Sequence, residues 1–159
     1  NEEDGRRLRA LVNNQEAYAV VQSVVTALSP EADLDLLLRA VQIPSKEAVV
    51  AGMALEVLSR SKNARAVAAV LAASDSKDYA TGVAGLRHVG RLAVSPETQR
   101  RLRAALGSQD IGILDAALQS VETNKDRTLL DAVRAVKLPE DEGWMKERIQ
   151  RLVKELSGS

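Results

Sequence analysis

A pair of apolar residues returns along this chain at a nearly constant interval, as Leu55/Leu58, Leu86/Val89, Leu118/Val121 and Ile149/Leu152, with steps of 31, 32 and 31 residues. Within each pair the two residues stand three apart, a spacing that places them on one face of a helix and on opposite faces of a strand. A period near thirty residues with helical spacing constrains the fold more than any other feature. One helix hairpin cannot bury its apolar side alone, so successive hairpins must stack on one another. The expected chain is all-α, a helix-hairpin solenoid within a single domain spanning residues 1–159.

Start and stop signals divide the chain at the same rhythm. Ser29-Pro30-Glu31 and Ser95-Pro96-Glu97 each offer a capping hydroxyl, a proline where the missing N–H costs nothing, and an acid at the positive helix end. Further breaks fall at Ile43-Pro44-Ser45, Ser74-Asp75-Ser76, Gly107-Ser108-Gln109-Asp110, Thr123-Asn124-Lys125-Asp126 and Leu138-Pro139-Glu140-Asp141. They predict ten helices in five hairpins, 2–13 with 15–28, 30–43 with 45–61, 63–73 with 76–93, 96–107 with 109–123, and 125–138 with 140–157. The second helix of each later pair carries the clearer stripe: Ala48, Ala51, Leu55 and Leu58; then Tyr79, Gly82, Leu86 and Val89; then Ile111, Leu114, Leu118 and Val121; then Met145, Ile149 and Leu152 after a polar Glu142. Leu37/Val41, Val67/Leu71, Leu102/Leu106 and Val133/Val136 are the expected anchors of the first helices. Leu86, in the middle hairpin, is expected to be among the most buried residues, and Leu8 in the first helix to matter much less.

Composition narrows the chemistry. Hydrophobic residues make up 45% of the chain but aromatics only 2%, with no Phe, so the core volume is aliphatic and suits closely spaced helices. Twenty-two basic residues balance twenty-two acidic ones, which argues against wholesale nucleic-acid or membrane-surface binding. The absence of Cys removes disulfides, thiolate metal sites and a cysteine nucleophile, and leaves the compartment open. No apolar run reaches the length of a membrane span. The chain opens at Asn1 without Met, as a processed chain or a piece of a longer one would. The excess of Arg over Lys, beside abundant Ala and Val, fits a GC-rich bacterial genome.

The candidate sites are few. His88 is the single histidine and lacks the partners that a metal site or a catalytic base requires, so no metal ligand, cofactor or catalytic residue is assigned. Asp33/Asp35, Asp75/Asp78 and Glu140/Asp141/Glu142 fall at helix starts, where capping and the helix dipole account for them. Gly82, Gly85, Gly90 and Gly112 sit inside expected helices with no preceding strand, which excludes a phosphate loop. Gly82 and Gly85 are read as points of close helix approach that offset a cost of about 1 kcal/mol each. Trp144 is expected to cover the end of the core, its indole N–H reaching a polar group. The most basic stretch runs from Arg87 to Arg103, with Arg87, Arg91, Arg100, Arg101 and Arg103 opposed only by Glu97, and Arg87 and Arg91 four apart on one helix face.

These stripes and turns resemble the HEAT-like or armadillo-like α-helical repeats, especially the short bacterial type, well over residues 30–157 and loosely over 1–28. The resemblance implies a right-handed α-α solenoid of about five antiparallel hairpins, with the second helices lining a concave surface. Glu56, Arg87, Gln119 and Gln150 follow the stripe residues and would face that surface, with Arg60, Arg91, Glu122 or Thr123, and Lys154 one turn on. The implied function is a non-enzymatic scaffold or adaptor that binds a protein or peptide, with Glu56, Arg60, Arg87, Arg91, Gln119 and Gln150 as its contact residues. The alternative is a nucleic-acid-acting protein similar to the HEAT-like DNA glycosylases, using the Arg-rich segment 87–103. The near absence of aromatics, with one Trp at the far end, argues against that activity.

Overall fold

The computed structural model describes residues 15–43, 49–138 and 143–158. Every regular element among them is helical: α1 (Gln15–Ala27), α2 (Leu34–Val41), α3 (Val49–Leu58), α4 (Ala64–Ser74), α5 (Tyr79–Val89), α6 (Pro96–Leu106), α7 (Ile111–Asn124), a 3₁₀ turn (Arg127–Leu129) running into α8 (Leu130–Arg134), and α9 (Gly143–Ser157). The chain divides into two compact units, Asn1–His88 and Val89–Ser159. The expected helix 2–13 with Leu8, the residues 44–48 and the segment 139–142 lie outside the described residues.

In the first unit α3 is the central element. Val50, Ala51, Met53, Ala54, Leu55, Val57 and Leu58 are all buried, so this helix is apolar nearly all round and must be surrounded. It packs against α1, α2 and α4, and α2 also packs on α4. Leu37 of α2 and Val21 and Val25 of α1 complete this core. In α4 the expected anchors Val67 and Leu71 are only half-buried, and the buried residues are Ala66, Val70 and Ala73, with Ala66 and Val70 one step before them. The small residues allow a close approach: a Cβ on Gly85 of α5 would lie 2.6 Å from the carbonyl carbon of Ala73. Gly85 is therefore required by packing, as its position within a helix suggests. Leu86 of α5 is buried at 6% exposure, yet Leu55 and Leu58 are sealed completely. Tyr79, expected on the same stripe, is the first residue of the helix that Asp78 caps, and it is 55% exposed.

In the second unit α6 packs on α7 and α8, and α8 packs on α9. Leu102 and Leu106, the stripe residues Leu114, Leu118 and Val121, and Leu129, Val133, Met145 and Leu152 form its core. Each fully buried leucine adds about 1.5–3 kcal/mol. Trp144, expected to seal the end of this core, is 54% exposed. The next residue, Met145, is fully buried in its place, since one helical step of about 100° separates the two side chains.

Helix ends follow local hydrogen bonding. Ser95 caps α6 with a complete capping box: its hydroxyl accepts from the Thr98 N–H at 3.2 Å, and the Ser95 N–H donates to the Thr98 hydroxyl at 2.9 Å. At Ser29 the same chemistry yields a turn over 30–33 before α2, later than the expected start at 30. There the Ser29 hydroxyl accepts from Ala32 N–H at 3.2 Å, and its own N–H donates to the Asp33 carboxylate at 2.9 Å. The second helix of the middle hairpin also begins later than expected, at Tyr79. The expected helix 125–138 is shortened most. Lys125 takes a left-handed conformation (φ 51°) that closes α7, and Asp126 then caps only a 3₁₀ turn and the five residues of α8.

Candidate partner-binding surface

Three of the residues that follow a stripe position point outward. Arg87 follows buried Leu86 on α5, Gln119 stands between fully buried Leu118 and Ser120 on α7, and Gln150 follows half-buried Ile149 on α9; all three are exposed. Glu56 on α3, flanked by buried Leu55 and Val57, is partly covered. Three of the six candidates, Glu56, Arg60 and Arg87, belong to the first unit, and Arg91, Gln119 and Gln150 to the second. Glu56 and Arg60 pair with each other through a salt bridge of 2.9 Å.

Two of the candidates sit on turns and not on helices. α3 ends at Leu58, where the Arg60 N–H donates to the Val57 carbonyl at 3.1 Å and the Ser61 N–H to Leu58 at 3.0 Å, a tightened last turn. α5 ends at Val89, and the N–H of the next residue, Gly90, donates to the Ser120 hydroxyl at 2.9 Å. A side chain at Gly90 would run into the Ser120 backbone. Arg91 thus lies on a turn beyond α5, and the helix face that the sequence suggests it shares with Arg87 does not form.

The Arg-rich segment is interleaved with acceptors. Arg100 and Arg101 both pair with Glu97, whose carboxyl is held below its usual range by the hydrogen bonds from Arg100 and then Arg101. Arg103 donates to the Thr128 carbonyl at 2.6 Å. Its charge also bears on Asp126, the best-covered carboxylate among the described residues of this unit. Burial pushes the Asp126 carboxyl up, but hydrogen bonds from Gln99 at 2.8 Å and from the Thr128 N–H at 3.0 Å, with Arg103 behind them, leave it below the ordinary value. This cluster ties α6 to the 3₁₀ turn. Arg100, Arg101 and Arg103 are therefore engaged within the unit's own framework.

A second charged cluster has one member, Glu122, among the sequence candidates. Arg148 of α9 donates through Nε and Nη2 to the two oxygens of Glu122 at 2.8 and 2.7 Å, and through Nη1 to Asp115 at 2.5 Å. The Glu122 hydrogen bonds raise the Arg148 pKa, desolvation opposes them, and Asp115 adds to the rise. Asp115 and Glu122 are seven apart on one face of α7, and Arg148 lies about one repeat further on, but this spacing does not single out Arg148 as the residue that meets them. Glu122, a candidate for the outward surface, is committed to this clamp instead.

A shallow cleft at the start of α2 is lined by Glu31, Asp33, Asp35, Leu36, Arg39 and Arg65. Its polar groups pair locally, with Ser61 donating to Glu31 at 3.0 Å and Arg65 paired with Asp35 at 2.7 Å. Among the described residues no group of three or more His, Cys, Asp or Glu side chains stands together as a metal site, and no helix is long and apolar enough to cross a membrane. His88 is half-buried near the end of α5. No protein-family model, curated protein or solved structure matches the chain.

Proposed function

We propose that this chain is a non-enzymatic scaffold of the HEAT-like or armadillo-like kind. In this reading its helix hairpins stack in right-handed solenoid fashion within each unit, and the outward sides of the second helices bind a protein or peptide. The observation that carries the reading is the exposure of Arg87, Gln119 and Gln150, one residue after the recurring stripe in three successive second helices. Polar side chains held on well-packed helices make a regular recognition surface with little conformational entropy to lose on binding. Support for stacked hairpins comes from contacts between alternate helices, α1 with α3 and α2 with α4 in one unit and α6 with α8 in the other. The warrant is architectural, and it names a surface before a partner.

The test is selection of displayed peptides on the intact chain, followed by affinity measurements on two surface variants. Arg60→Glu/Arg87→Glu alters the first unit and Gln119→Ala/Gln150→Ala the second. Loss of tenfold or more in affinity with either pair, about 1.4 kcal/mol, supports the reading. Ligands that bind both variants as well as the parent overturn it. A mobility-shift titration with duplex and single-stranded DNA separates the nucleic-acid alternative, which requires binding that falls steeply as salt rises.

A further inference from the structure

We draw no further inference here: the strongest candidate, the shallow cleft at the start of α2 lined by Glu31, Asp33, Asp35, Arg39 and Arg65, is an acidic cluster whose carboxylates are already engaged by Ser61, the Ser29 N–H and Arg65, and no second observation points to a ligand there.

Discussion

Arg148 shows how a single side chain fixes the position of a helix. Its guanidinium satisfies two carboxylates of α7 from α9, in a fork geometry that lysine cannot reproduce. Replacing Arg148 with Ala removes the cation that bridges the partly covered Asp115 and Glu122, and should cost about 1–3 kcal/mol in urea denaturation. Arg148→Lys should recover only part of that loss, and full recovery would reduce the clamp to a simple surface ion pair. Asp126 makes a pH-dependent contribution of known sign. Its carboxyl is depressed in the folded state, so the stability it adds is present above the ordinary carboxylate pKa, near 4, and is lost as pH falls through the lower folded value. Asp126→Asn should therefore be less stable than the parent at pH 7 and should lose less stability between pH 5 and about pH 2. Unfolding curves at the two ends of that range decide it, and equal acid sensitivity would assign the effect to other carboxylates. Neither cluster was legible from local sequence. Both join residues about one repeat apart, Asp115 with Arg148 and Gln99 with Asp126, and spacing gives no sign of which polar residues turn inward to meet.

At the scale of helices, the caps and the stripe divide the work. The capping box at Ser95 satisfies N–H groups that α6 would otherwise leave to solvent, and Ser95→Ala should destabilise by about 1 kcal/mol. A pair of glycines tests packing with the backbone change held constant. Gly52→Ala places its Cβ 3.7 Å from the Ala84 methyl, an ordinary contact, and should stabilise by up to about 1 kcal/mol through helix propensity. Gly85→Ala meets the backbone of Ala73 and Ser74, so the helices must move apart and the sign reverses. Thermal melts of the two variants should shift in opposite directions. Second-helix stripes were legible in advance because Leu55, Leu58, Leu118 and Leu152 are large and repeat at helical spacing. First helices were harder to place. In α4 six of eleven residues are alanine, and buried Ala66 and Ala73 look like exposed Ala68 and Ala72 in sequence. Just past the helix end at Val89, Gly90 donates to a serine thirty residues away, a contact that no local signal announces.

For the whole molecule, the central prediction is that each unit holds enough of its own core to fold without the other. The first has α3 enclosed by three helices, with Leu37, Leu55, Leu58 and Val70 fully buried. The second has Leu102, Leu114, Leu118, Leu129, Val133 and Met145 in the same state. A domain of this size is marginal, because its surface is large for its volume, so the expected outcome is a folded but weakened fragment. Cutting after Ala93 retains α5 entire, along with the turn that carries Arg91. The fragment 1–93 should keep a helical circular-dichroism spectrum and unfold in one cooperative transition at lower urea than the full chain. Leu55→Ala in that fragment should cost about 2–5 kcal/mol, enough to unfold it, because the cavity opens at the centre of the enclosed helix. Val24→Ala, at an exposed position of α1, should leave its midpoint nearly unchanged. A fragment that is unfolded before any substitution would mean that the stripe of α3 is buried too weakly to hold one unit together. The hairpins would then be stable only as a longer array, and the outward positions would need to be tested on the full chain alone.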